Sequence, residues 1–126
     1  MPETPLRIIG KDAAAFLQKL FTRNVKKIKV GRAVYALACN HQGGVLMDGV
    51  LMRPNDQEFI YVQGNGDFLN WDNANLGDPD ASISDFNSWV LQVQGPTALH
   101  LMTAVTGIDQ AEFSYYAVTE AKINGL

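Results

Sequence analysis

The stretch that most restricts how this chain can fold runs from Tyr35 to Val50: Tyr-Ala-Leu-Ala-Cys-Asn-His-Gln-Gly-Gly-Val-Leu-Met-Asp-Gly-Val. Two runs of strand-forming residues flank His41-Gln42-Gly43-Gly44, whose glycines and polar side chains suit a tight turn. The pattern predicts a hairpin, with Arg32 to Asn40 as one strand and Val45 to Met52 as the other. A turn centred between Gln42 and Gly43 sets Leu37 opposite Asp48 and Tyr35 opposite Val50. Cross-strand partners share a face, so Tyr35, Leu37, Asp48 and Val50 should line one surface. A carboxylate among apolar neighbours costs stability unless it is paired or used. Two readings of Asp48 follow. Either this face is half exposed and Asp48 meets water, a lysine or an arginine, or the surface holds a flat heteroaromatic ligand whose protonated nitrogen faces the carboxylate. In the second case partial burial should raise the Asp48 pKa toward the range of a general base.

The rest of the chain alternates strands and helices. Leu6 to Ile9 reads as a strand, Gly10 breaks it, and Asp12 is placed to cap a helix reaching about Phe21. The polar Arg53 to Glu58 segment reads as a turn, followed by a strand from Phe59 to Gln63. A register like that of the first hairpin would bring Tyr61 near Val50 and Gln63 near Asp48. Asp67 should cap a helix to about Leu76. Strands are then expected over Ala81 to Phe86, Val90 to Val93, Phe113 to Val118 and Glu120 to Ile123, with a helix opened by Gly95-Pro96 and stopped near Gly107. Aligning Gly10 with Gly95 matches Leu6 with Leu91, Ile8 with Val93, Phe16 with Leu101 and Leu17 with Met102, so a strand, a glycine turn and an amphipathic helix occur twice. Hairpins separated by helices predict an α+β fold with a mostly antiparallel sheet and two or three helices.

Composition removes several function classes. A net charge of -3 leaves no basic footprint for nucleic acid. The short basic run from Arg23 to Lys29 reads as a helix end and its exit turn. One cysteine, Cys39, excludes an internal disulfide and suits a reducing compartment. His41 and His100 have no partners at ligand-like spacing, so no metal site is expected. No apolar run is long enough to span a membrane and no signal-peptide pattern opens the chain, so a cytoplasmic location is expected. Trp71 and Trp89 read as packing residues.

Several short motifs, in order, resemble one family. Gly31 through Val50, Phe59-Ile-Tyr61-Val-Gln-Gly-Asn65, Leu91-Gln-Val-Gln-Gly95-Pro96, Ile9-Gly10-Lys11-Asp12 and Thr22-Arg-Asn-Val together look like the folate-binding fold of the glycine-cleavage T-protein. The aminomethyltransferases of that family usually carry paired aspartates after the double glycine. Here Met47 replaces the first and Asp48 keeps the second, as in members similar to dimethylsulfoniopropionate demethylase, a branch that the Phe113-Ser-Tyr115-Tyr116 segment also resembles.

The resemblance implies tetrahydrofolate as the cofactor. It carries the pterin pocket onto Tyr35, Asp48, Val50, Tyr61 and Asn65, with Asp48 as the catalytic acid beside N5. Its implied chemistry is one-carbon transfer, from an aminomethyl group on a lipoyl carrier protein or from a methyl on a small sulfonium. Family members are far longer. The resemblance therefore implies that residues 1–126 are a single domain, the N-terminal portion of the fold, ending before a glutamate that helps hold the pterin. Exposed sheet edges would then favour a homo-oligomer. The competing readings are a folate-binding module without transfer activity and an inactive fragment.

Overall fold

The computed structural model describes residues 3–64, 66–123 and 125. Ten elements follow one another: β1 (Thr4–Ile9), α1 (Ala13–Leu20), a 3-10 turn (Val25–Lys27), β2 (Arg32–Cys39), β3 (Val45–Asn55), β4 (Glu58–Gln63), α2 (Phe68–Leu76), β5 (Ser82–Asp85), α3 (Ala98–Thr106) and a second 3-10 turn (Gln110–Glu112). The five strands form one antiparallel sheet in the order β2-β3-β4-β1-β5. The fold is α+β, as the alternation of hairpins and helices predicts.

One face of the sheet makes the core. Leu6 and Ile8 of β1, Ala36 and Ala38 of β2, Leu51 of β3, and Phe59 and Tyr61 of β4 pack with Ala13, Phe16 and Leu17 of α1 in a single buried cluster. Phe21, Tyr61 and Phe68 meet edge-on or tilted, with centroids 4.7 to 6.1 Å apart, and tie α1 and α2 to the sheet. The Tyr61 hydroxyl donates to the Ala36 carbonyl at 3.1 Å, crossing β3 where Gly49 has no side chain. A Cβ on Gly49 would lie 2.3 Å from the Val62 carbonyl oxygen and 3.1 Å from the Tyr61 ring.

The β2–β3 hairpin has the expected register, with Leu37 opposite Asp48 and Tyr35 opposite Val50. Its turn is tied by Asn40, whose Oδ1 accepts from the backbone of Gln42 at 3.0 Å and of Gly44 at 2.8 Å. The β3–β4 hairpin differs from expectation. Strand β3 runs on through Pro54 to Asn55, so the turn shrinks to two residues. Asn55 pairs with Glu58, Leu51 with Tyr61, and Gly49 with Gln63. That is one residue out from the predicted register, and a one-residue slip exchanges the two faces of a strand. Tyr61 and Gln63 are therefore core residues.

Four other expectations are corrected. Asp12 occupies the N-cap position of α1 without a capping hydrogen bond; its Oδ2 accepts from the Asp80 backbone at 2.9 Å instead. The segments Val90 to Val93 and Phe113 to Ile123 are not strands: residues 114–118 make only a bridge between Ala117 and Arg32. Trp89 packs on nothing, with 97% of its surface exposed, whereas Trp71 is half-buried against the core. The sheet edge expected to drive self-association is largely occupied by the chain itself. Thr22 donates to Leu37 O at one end of β2, and Ala33 donates to Tyr116 O at the other.

Asp72 of α2 is buried, and its Oδ1 has no partner among the described residues; the Oε1 of buried Gln63 is in the same position. Burial pushes the Asp72 carboxyl up to about 7. The native state then keeps its proton where the unfolded chain has lost it. Stability from this position is greatest below about pH 4 and is lost as pH rises toward 7. Asp72→Asn should flatten that dependence and raise the unfolding free energy at pH 8 by an amount on the order of 2–4 kcal/mol, read from urea melts across pH. Gly49→Ala should cost at least about 2 kcal/mol in the same melts, because the obstacle is backbone and cannot swing aside.

Candidate functional site

The sheet face opposite the core carries the candidate site. Alternation along β2, β3 and β4 sets Tyr35, Val50 and Val62 in one cross-strand row, with Leu37 and Asp48 in the next. Leu37, Val50 and Val62 are half-buried, Tyr35 is 42% exposed, and Asp48 is exposed. The arrangement is an open apolar strip with one phenol and one carboxylate.

The two polar groups are joined. The Tyr35 hydroxyl donates to Asp48 Oδ2 across the diagonal of the hairpin. That bond, with a smaller contribution from the burial of the ring, holds the Tyr35 phenol above its ordinary pKa. Asp48 Oδ1 has no protein partner among the described residues and keeps its lone pairs for something else. The partial burial expected of Asp48 is not found. The exposure of Asp48 is what the first reading expects, with Asp48 meeting water; no lysine or arginine pairs with it among the described residues, and its protein partner is a neutral phenol.

Of the five residues carried over from the family resemblance, the structure brings three together: Tyr35, Asp48 and Val50 share the open face. Tyr61 does not join them. It is fully buried on the other face, and its phenol is pushed above its ordinary range first by burial and then by the nearby Asp48 and Asp72 carboxylates. Asn65 lies outside the described residues.

Two residues not singled out for the site approach it from outside the hairpin. Arg23 donates from Nε to the Tyr35 carbonyl at 2.8 Å, fixing the edge of β2 beside the tyrosine. Tyr116, half-buried and with a left-handed φ of 57°, stacks edge-on with exposed Tyr115 at 4.5 Å and sits near enough to Tyr35 to add to its pKa shift. Arg32 holds this segment, donating to Ser114 Oγ at 2.9 Å and Tyr115 O at 2.6 Å. The tyrosine pair was visible as a motif, but strand pairing rules do not dock a segment some 80 residues away on β2. If this strap shapes the site, Arg32→Ala should release it: the prediction is faster amide exchange at Ala33 and Val118 with the β2–β3 ladder unchanged.

Comparison with known proteins agrees with the fold and the motifs. The sequence model for the GCVT N-terminal domain matches residues 3–126. An aminomethyltransferase from Listeria monocytogenes serotype 4a (strain HCC23) is 31% identical over 116 residues, covering 88% of this chain and 32% of that protein. One from Thermoanaerobacter sp. (strain X514) is 28% identical over 127 residues, covering 96% and 34%. The crystal structure of glycine cleavage system aminomethyltransferase T from Bartonella henselae superposes with a TM-score of 0.76 at 19% identity, over 91% of this chain and 32% of that one. The chain thus spans about a third of the length of these relatives. With nearly every residue inside the family's sequence pattern, and the Gly31 to Val50 hairpin in the register that its motifs predict, the chain belongs to the GCVT N-terminal domain family.

Proposed function

We propose that this chain supplies the pterin-facing surface of a tetrahydrofolate-dependent one-carbon transferase. The observation that carries the reading is the open Asp48 carboxylate, oriented by Tyr35, at the end of the Val50–Val62 strip. A reduced pterin is a flat heterocycle with N–H donors along one edge. An apolar strip next to a carboxylate acceptor fits that chemistry, because the ring can lie on the strip while the acceptor meets the edge.

Tetrahydrofolate, when bound, supplies the N5 amine that takes up a one-carbon unit. The chain's own residues have simpler tasks. Tyr35 occupies Oδ2 of Asp48 and so aims Oδ1 outward. Asp48 Oδ1 accepts a ligand N–H and is placed to hold its proton. Leu37, Val50 and Val62 exclude water from one side of the ring, which strengthens the polar contact beside them. Tyr61 takes no part in contacting the ligand: its role is to keep the three strands in register. The donor that suits the named relatives is an aminomethyl group on a lipoyl carrier protein, and a small sulfonium is the competing donor. Single-turnover assays with each donor, in a protein that carries the whole fold, decide between them.

The direct test is calorimetric titration of tetrahydrofolate into the wild-type chain and its variants. Weak binding, in the millimolar range or tighter, is expected for the wild type. Asp48→Ala should weaken it roughly tenfold or more, and Tyr35→Phe by less, with folding intact by circular dichroism in both. Tyr61→Phe should lower stability and leave affinity unchanged. No binding by the wild type at millimolar ligand, or full affinity in Asp48→Ala, would show the assignment to be wrong.

A further inference from the structure

We infer, resting on the tetrahydrofolate reading, that Arg23 and Tyr116 form a subsite for the ligand's tail at the β2 edge: Tyr116 flanks its aminobenzoyl ring, and Arg23 holds a carboxylate of its glutamate.

A row of side chains crosses the open face. Val62 of β4, Val50 of β3 and Tyr35 of β2 are cross-strand neighbours there. Arg23 continues the row past the last strand, because its Nε donates to the Tyr35 carbonyl at 2.8 Å. Strands lie about 4.8 Å apart, so the row from Val62 to Arg23 spans ~15 Å. Its character changes along that length, from two aliphatic side chains to a phenol and then to a cation. Tetrahydrofolate changes in the same sense, from a flat heterocycle to a benzoyl ring and then to two carboxylates. The opposite direction offers no such sequence. There the row ends on buried Pro5 of β1, and Arg7, two residues further along that strand, is already paired with Glu58 at 2.6 Å. A pterin on Val62 and Val50, with its N–H edge toward Asp48, therefore sends its tail over Tyr35.

The charge at the end of the row is uncommitted. Arg23 is exposed, its two terminal nitrogens bond nothing among the described residues, and no carboxylate there pairs with it. A guanidinium fixed through Nε and open at its fork is prepared for a carboxylate, whose two oxygens match the fork.

Tyr116 supplies the wall between ring and charge. The segment that carries it is held on β2 by Arg32 and by the Ala33 amide, which donates to the Tyr116 carbonyl at 2.8 Å. Burial and then Tyr115 push the Tyr116 phenol above its ordinary pKa, and the Arg23 cation pulls the other way. Tyr116 acts in turn on Tyr35. The two phenols and the guanidinium thus lie within electrostatic reach of one another, and the phenol rings offer an aromatic ligand the contact that the valines offer the pterin.

The test is calorimetric titration of the full chain with tetrahydrofolate and with 6-methyltetrahydropterin, which keeps the reduced pterin and lacks the tail. Arg23→Gln should weaken tetrahydrofolate by about threefold to tenfold and leave 6-methyltetrahydropterin unchanged. High salt should remove the difference between wild type and Arg23→Gln. Tyr116→Leu should likewise weaken only tetrahydrofolate. Equal weakening of both ligands by Arg23→Gln would make Arg23 a support for Tyr35 and overturn the tail subsite, as would unchanged tetrahydrofolate affinity. The tetrahydrofolate reading itself fails differently: neither ligand binds, or Asp48→Ala binds 6-methyltetrahydropterin as tightly as wild type does. Either of those results removes the tail subsite as well.

Discussion

Tyr61 passes over the gap that Gly49 leaves in β3 and bonds the carbonyl of Ala36 on β2, so one side chain spans three strands of the sheet. The arrangement has no room for a slip. Moving β4 by one residue would take the ring out of the Phe21–Phe68 cluster and leave a phenol on the open face. A glycine within a strand normally weakens it, for want of a side chain to pack and through backbone entropy. Here that loss is offset by an aromatic ring packed on the bare backbone and a buried hydrogen bond in place of an orphaned hydroxyl. Register is therefore specified by packing on one face, and the chemistry of the other face follows from it.

The open face shows the consequence. Because Leu51 and Tyr61 point inward, Asp48, Val50 and Val62 must point outward, and Tyr35 reaches Asp48 along the diagonal. The pair needs no burial to be ordered: the tyrosine ring rests on the strand, and its hydroxyl occupies one carboxylate oxygen. Behind the sheet the balance is different. Asp72 and Gln63 each leave an oxygen unpartnered among the described residues, and Asp72 holds its proton nearly to neutrality because no charge or donor compensates its burial. The core thus carries a polar cost close to the strands that position the site.

How far the sequence disclosed this depends on how local each feature is. The pairing around Asp48 in the β2–β3 hairpin was legible, since the double glycine marks the turn and alternation does the rest; the register shift between Ala38 and Cys39 and the tie that Asn40 makes across the turn were not. The β3–β4 register was not, because Pro54 and Asn55 look like turn residues yet continue the strand, and the resulting shift moved Tyr61 from the expected pocket to the core. Tyr35, Asp48 and Val50 could be grouped from pattern alone. The approach of Arg23 and Tyr116 could not, as both depend on how distant segments cover the edge of β2. The apolar alternation of Val90 to Val93 was real but gave no strand, since a strand needs a neighbour: among the described residues the β2 edge is covered at both ends by other segments, and β5 is only four residues long.

On the proposed function, register separates a folate-facing side of the sheet, with Tyr35 and Asp48, from a structural side, with Tyr61. Chemical-shift mapping of the isotope-labelled chain with added tetrahydrofolate tests it most directly, because the method reads weak binding residue by residue. The largest changes should fall on Tyr35, Leu37, Asp48, Val50 and Val62, while the ring signals of Tyr61 and Phe21 stay in place. Changes concentrated on Tyr61 and α2, with Asp48 unmoved, would contradict it.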